Sequence, residues 1–433
     1  MDLTAAGNAL KIMFEDPITD QVIAKADCLE WFEQNANVKQ SDFGSYIEVS
    51  SIYGDPEGVG ARAENDYIPV AVDPKFLKQQ IYLKYLYGTV QITKQTMQQM
   101  RSGRAAFIGW AESTLTKLER AIRQDLDRQI YGYGAGIIAR VNESDPDGDV
   151  NLIVDSAYGV DGITNAAELF RVGAKYRFFG AAAATSEQNQ SGAVTHVTVN
   201  DVNRSTQTLT LASVCGSDVA NSAYIMRGDA SGHTGQSSGT DREVMGLLGH
   251  IDDGDILGSY FGQARGSYGW LKAQVVAGSA SPYNGNLTET LLMKANDDAI
   301  QFGGGDPDAC MTTRGVLRNY FAQLRSDRTF NDPRNYTGGA RDLQISLGDK
   351  VVTLRAGRQC PSGTLFMLDR STLTRAHNTG WEWDDTTGAV FKQVTDGTGR
   401  KDEFYAYGRW FMQTFCKAPQ QNVRIDGLSE SVA

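Results

Sequence analysis

Apolar and polar positions alternate with a helical period through one long stretch, RAAFIGWAESTLTKLERAIRQDLDRQIY, from Arg104 to Tyr131. Phe107, Ala111, Leu115, Leu118, Ile122, Leu126 and Ile130 recur every three or four residues, which predicts a continuous apolar stripe on one helix. The other face carries Glu112, Lys117, Glu119, Arg120, Arg123, Asp127 and Arg128. Glu119 with Arg123, and Arg123 with Asp127, have the i,i+4 spacing at which opposite charges meet. No proline interrupts the stretch, and Gly132 and Gly134 end it. At a rise of 1.5 Å per residue the helix is about 40 Å long. Helices of globular proteins average about 11–12 residues.

Before this helix the pattern is different. Residues 1–45 read as an arm with a short helix after Pro17, carrying Ile18, Val22, Ala26, Leu29 and Phe32. Residues 46–97 read as a long extended hairpin. Its tip, GDPEGVGARAENDYIPV, is rich in turn formers, and its returning limb, QQIYLKYLYGTVQITKQ, alternates as a half-buried strand does. Such a hairpin exposes Tyr82, Tyr85 and Tyr87 and calls for a partner surface.

Beyond the helix, 132–161 is turn-rich, and 165–177 holds a strand that leads into Tyr176, Phe178 and Phe179. The small polar run Gly180–Gly192 has linker composition. Alternating strands follow at 194–202 and 206–211, joined by an Asn203-Arg204-Ser205 turn, then a short one at 224–226. A second flexible tract, Gly228–Gly239, marks 180–239 as a small inserted β domain. A helix starts at Asn286, with Glu289 in capping-box position, and another runs from Thr312 to Ser326. Strands are predicted at 342–347, 350–356, 364–368 and 389–394, before an aromatic closing run, FYAYGRWFMQTFC.

Composition narrows the class. The chain has 433 residues, 41% of them hydrophobic, enough for two or three cores. Its net charge of −11 and lack of a basic run argue against electrostatic recognition of nucleic acid sequence. Cys28, Cys215, Cys310, Cys360 and Cys416 are odd in number and widely spaced, with no CxxC, and read as reduced buried thiols. The N-terminus has no basic and apolar signal pattern, no apolar run is long enough to span a membrane, and Met1 reads as the translated start.

Catalytic templates find nothing. His196, His233, His250 and His377 share no ligand spacing. Asp252-Asp253-Gly254-Asp255 beside His250 reads first as a turn, and Asp145-Pro146-Asp147-Gly148-Asp149 departs from a calcium loop at its glycine and its last position. Gly303-Gly304-Gly305 lacks a following Lys-Ser/Thr and reads as a helix terminator. No GxSxG elbow occurs. The expectation is a structural protein with no catalytic residue, no metal and no cofactor.

The order of arm, long hairpin, spine-like helix, mixed domain and aromatic closing strand resembles the major capsid proteins of tailed bacteriophages, the HK97-type fold family. The segments that carry the resemblance are the two hairpin limbs, ESTLTKLERAIRQDLDRQIYG, EVMGLLGHIDDGDILGSYFGQARGSYGWLKA, VVTLRAGRQCPSGTLFMLDRSTLTRA and YGRWFMQTFCKAPQQNVRIDG. The resemblance implies an α+β fold in these parts: an N-terminal arm (1–45), an extended loop (46–97), a peripheral domain with the spine helix (98–179), the inserted β domain (180–239), more of the peripheral domain (240–299), an axial domain (300–390) and a C-terminal return strand of the peripheral domain (391–433). It implies hexamers and pentamers of an icosahedral phage head assembled in the host cytoplasm around double-stranded DNA. It also implies a separate scaffolding protein, a portal and a decoration protein as partners. Arg62, Glu64, Asp66, Tyr67, Lys78, Tyr82, Lys84 and Tyr85 are the expected intersubunit contacts. Some relatives cross-link a loop lysine to an asparagine. Lys75, Lys78, Lys84 and Lys94 lie in or near the loop, but no sequence feature marks an acceptor, so cross-linking is not expected. An encapsulin-type compartment shares this fold, and a carbohydrate-active β-rich protein is the alternative from a different class.

Overall fold

A computed structural model of the chain describes residues 28–34, 46–54, 58–70, 73, 75–93, 95, 104–189, 195–228, 236–237, 240–324, 343–347, 350–377, 381–385, 390–396 and 399–430. Most of the predicted arm, the helix start after Pro17, Lys94 and most of Gly228–Gly239 lie outside them. Of the arm, Leu29–Trp31 form a 3-10 turn, and Glu33–Gln34 run parallel to residues 374–375.

The predicted hairpin is present. Tyr46–Gly54 (β1) and Lys75–Tyr82 (β2) pair antiparallel, with Tyr46 opposite Tyr82. It ends at Leu83, and Lys84–Thr93 (β3) turns to another partner, so the limb read as one strand is two. The covered side of the ribbon changes there. Gln79, Ile81 and Leu83 are buried on odd positions, Ile81 and Leu83 in a small cluster with Ile47, Ala376 and Phe415. From Gly88 to Ile92 the even positions are buried, with Val90 and Ile92 in the main core.

Arg104–Tyr131 forms the spine helix (α1), 28 residues long. Ile122, Leu126 and Ile130 are buried as the stripe requires, and Leu118 packs against the same core. The charged face departs from expectation at its end, where Asp127 and Arg128 are buried while Lys117 and Arg120 stay exposed. Other elements enclose this end of the helix. Arg128 pairs with Glu243 at 2.5 Å and Asp125 at 3.5 Å, and Arg227 reaches Asp125 at 2.6 Å. Gln129 donates to Asp125 and accepts from the Val244 amide. Burial alone would raise the Asp125 carboxyl, but Arg128, Arg227 and Arg171 together hold it down at about 2.

Six strands then close a barrel: Ile137–Val141 (β4), Asn151–Asp155 (β5), Lys175–Phe179 (β6), Val197–Asn203 (β7), Thr208–Leu211 (β8) and Tyr224–Arg227 (β9), in the order β9-β4-β5-β8-β7-β6. Alternation is clean, with Leu152, Val154, Val197, Val199, Leu209 and Leu211 buried. This corrects the boundary of the inserted domain, because three of the strands precede residue 180. The polar run after Gly180 connects β6 to β7 within the barrel and marks no domain edge. The later strands alone would leave open hydrogen-bonding edges, and the earlier three occupy them.

A second unit follows. Gln274–Ala277 (β10), Glu289–Gly303 (α2), Ala309–Thr312 (β11), Arg314–Leu324 (α3), Leu343–Leu347 (β12), Lys350–Ala356 (β13) and Leu365–Leu368 (β14) build a sheet with two helices on it. Leu291, Leu292, Ala295 and Ala299 of α2 meet Val316, Leu317 and Tyr320 of α3 in its core. The α2 cap is Thr288, whose side chain accepts from the Leu291 amide at 3.2 Å, rather than Asn286. Gly304, at φ 64°, ends α2 as predicted.

Leu373–His377 (β15), Glu382–Trp383 (β16), Lys392–Asp396 (β17) and Gly399–Cys416 (β18) return to the hairpin side. The 18-residue β18 is the axis of this sheet. One edge pairs with β3 from Thr93 to Lys84, and the other meets β15, β16 and β17. Gly88 lies opposite Gly408, and the buried Trp381 ring occupies the space that their side chains would fill. The last strand, Val423–Asp426 (β19), sits between β10 and β14. The second unit therefore draws β10 and most of α2 from before residue 300 and β19 from the C-terminal end, which corrects the expected limits of both regions.

Two outcomes follow from this packing. Gly408→Ala should cost about 1–3 kcal/mol by overpacking against Trp381, read from urea unfolding. An aspartate held below its unfolded value of ~3.9 stabilises the fold above that pH, and the contribution is lost as pH falls towards 2. Asp125→Asn should therefore flatten that acid limb, a change on the order of 2 kcal/mol between about pH 4 and pH 2.

Candidate assembly surface

The groups with chemistry are turned to structural work. His250 is buried, with Nδ1 3.0 Å from the Tyr260 hydroxyl and Nε2 3.0 Å from Thr414 Oγ1. Burial, with Arg265 close by, lowers its pKa to about 3, so the ring is neutral. Asp252 accepts from the amides of Gly254, Ile256 and Leu257 and from Arg265 at 2.5 Å, with Arg424 at 3.6 Å. Its lone pairs are taken by protein donors. All five cysteines are buried thiols outside any disulfide. Burial pushes the thiols of Cys215 and Cys310 up to about 12 and that of Cys416 to about 11, far from the reactive thiolate. Among the described residues no group of three or more His, Cys, Asp or Glu side chains could hold a metal ion. No described helix is long and apolar enough to cross a membrane.

What the chain leaves unpaired is apolar surface, concentrated between residues 59 and 87. Val59, Tyr67 and Ile68 are 95%, 91% and 87% exposed, and Val70, Phe76, Tyr82, Tyr85 and Tyr87 are at least half exposed. A turn at Ala63–Asp66 shapes the tip, with the Asp66 amide donating to the Ala63 carbonyl and Asp66 Oδ1 accepting from the Tyr67 amide. The structure thus brings Arg62, Glu64, Asp66 and Tyr67 together on one exposed loop.

The other expected contact residues are spread along the ribbon. Lys78 pairs with Glu48 across the hairpin at 3.5 Å, and its carbonyl accepts from Gln263. Tyr82 packs on Tyr46 with ring centroids 5.6 Å apart. Lys84 differs from the others: it is partly buried and donates to the Asp241 carbonyl, and burial lowers its pKa despite the nearby Asp241 carboxylate. Its contact is within the chain. Tyr85 lies on the outer face of the sheet, edge-on to Phe411 at 4.7 Å.

That outer face extends further than the sequence reading reached. The register sets Tyr85 opposite Phe411, Tyr87 opposite Arg409, Thr89 opposite Tyr407 and Gln91 opposite Tyr405. The even positions of β18, Ala406, Gly408, Trp410 and Met412, face the core. One side of the sheet therefore carries a half-exposed row of aromatic rings. The aromatic richness of FYAYGRWFM is visible in the sequence, but its pairing with β3 is not.

No protein-family model matches this chain, and comparison with curated proteins finds no match. Solved structures do. The capsid asymmetric unit of cyanophage A-1(L) superposes with a TM-score of 0.50 at 10% identity, covering 95% of this chain and 93% of that one. The procapsid of satellite phage P4, with its size determination protein, gives 0.41 at 9% identity, covering 96% and 90%. The holo-SrpI encapsulin complex of Synechococcus elongatus gives 0.36 at 6% identity, covering 83% and 79%. The likeness to the cyanophage capsid chain shows the fold: a mixed α+β chain of the HK97 type.

Replacing Tyr85 and Tyr87 together with serine should shift unfolding free energy by no more than about 0.5 kcal/mol per site. The same change should lower binding of a hydrophobic dye by the protein, which measures the exposed face directly.

Proposed function

We propose that this chain, having the HK97-type capsid fold, is the shell subunit of a phage head, assembling as hexamers and pentamers into an icosahedral particle that encloses double-stranded DNA. The observation that carries the reading is the protruding loop. Val59, Tyr67, Ile68 and Val70 are exposed far beyond what a monomer gains from them. Their place is on a ribbon whose base is locked into the main sheet by β3. Apolar side chains held away from their own core are recovered in contact with another subunit.

In this reading the loop lies on a neighbour, the β18 sheet with α1 is the peripheral domain, and the β10–β14 sheet with α2 and α3 is the axial domain around the ring centres. The barrel is an added module between them. The protein then belongs to the virion, with a separate scaffolding protein, a portal and a decoration protein as partners. Its function has no catalytic step. An acidic chain also avoids adhering to packaged DNA, which keeps the genome mobile during filling and ejection. Many weak contacts closed together stabilise such a shell without any single strong one.

Electron microscopy of purified protein tests this. Uniform closed shells containing or accepting DNA are expected; shells holding an enzyme cargo would favour a compartment of the encapsulin kind, and a monodisperse monomer would refute the proposal. Deletion of 58–66 should leave the melting transition intact and abolish regular shells.

A further inference from the structure

A cavity of about 430 Å³ opens where α3 begins, between the barrel and the second sheet. In its floor the Glu430 carboxylate accepts from Thr313 Oγ1 at 2.6 Å and from the Gly363 amide at 3.0 Å. Exposed arginines rim it: Arg314, Arg318 and Arg358. Arg204, on the turn between β7 and β8, is close enough to act with Arg358 on Glu168 at the edge. Arg314 and Arg318 are like charges one turn apart, an arrangement that weakens a helix. Neither has an ion-pair partner among the described residues. Arg314 and Arg318, side by side on the rim, make a positive edge on a chain of net charge −11.

The opposite end of the barrel is its electrostatic complement. The turn between β4 and β5 carries Glu143, Asp145, Asp147 and Asp149, all at least partly exposed and none in an ion pair among the described residues. Burial raises the pKa of Glu143, the Ile153 amide that it accepts from lowers it, and the neighbouring Asp149 and Asp145 raise it further, so like charges crowd this turn. Exposed Val150 stands at its shoulder. The strand β5 leads away from this turn, and its Ile153 already lies opposite Thr208, beside the turn that holds Arg204. Five extended residues span roughly 16 Å, so the two ends do not meet within one chain.

We propose that the acidic turn 143–149 of one copy seats in the arginine-rimmed cavity of the next, a head-to-tail contact between barrels and second sheets. The inference rests on the shell-subunit reading. Two different patches meet in this contact, so it propagates round a ring instead of stopping at a pair. Guanidinium forks suit carboxylates, which they bind through two parallel hydrogen bonds.

Sedimentation velocity on the full chain at low and high salt tests it with three variants: R314E/R318E, D145R/D147R, and all four changes combined. Each double reversal should weaken association about tenfold or more, since like charges then face each other. The combined variant should regain most of the loss, and high salt should weaken the wild type. Melting should be unchanged in all three, because every substituted side chain is exposed. Association that ignores either double reversal, or a combined variant that does not recover, overturns the contact while leaving the shell reading in place. A wild type that never associates overturns both. Loss of duplex-DNA binding in R314E/R318E with association intact would assign the cavity to nucleic acid and overturn the proposal.

Discussion

The structure depends on the last three turns of the spine helix, where three bodies meet. Ile122, Leu126 and Ile130 supply non-directional cohesion there, and apolar contact alone tolerates several docking angles. The charges beside them do not. Asp125 takes Arg227 from the last barrel strand, Arg128 takes Glu243 from the segment that leaves the barrel, and the Arg171 side chain donates to the Ala121 carbonyl. Removing one member of such a buried set costs roughly 3–5 kcal/mol, because its partner is left charged and dry. Orientation is thereby fixed by pairing, and cohesion by burial.

The same joint settles what kind of module the barrel is. Tyr158 donates to the Gln359 carbonyl at 2.6 Å, and the amides of Thr164 and Asn165 donate to the Ser362 hydroxyl. The barrel is held by the helix on one side and by the second sheet on the other. It braces the two sheets against each other, which a domain on flexible tethers could not do. The most exposed large apolar side chains, Val59, Tyr67, Ile68 and Val70, are gathered on the loop between β1 and β2.

Much of this was legible along the chain because the signals are local. The spine helix has the predicted bounds, since an uninterrupted stripe between a loop and a glycine pair leaves little freedom. Lys350–Ala356 and the turn after Asn203 were equally direct, the latter because Asn203 Oδ1 accepts from the Ser205 and Thr206 amides. What escaped depends on partners distant in sequence. Composition at 180–192 looked like a boundary, and only the pairing of β6 with β9 shows that the barrel closes across it. Arg128 carried the pattern of a solvent-facing charge, and its burial follows from Glu243, more than a hundred residues later. The sequence groups Lys84 with the exposed ribbon for the same reason: its acceptor, the Asp241 carbonyl, lies 157 residues further along the chain. The aromatic face needed the β3–β18 register, which no alternation within one strand reveals.

That register has a mechanical consequence. The ribbon that carries the exposed loop continues through Leu83 directly into β3, and β3 is laced to β18 over ten residue pairs. A pull on the loop along the ribbon acts parallel to that pairing, so its hydrogen bonds are loaded in shear and share the force together. They do not open one after another, as in a zipper pulled from its end. The load passes into the centre of the sheet beneath Trp381 and Trp410, and strain applied at the exposed tip is spread through the body of the chain.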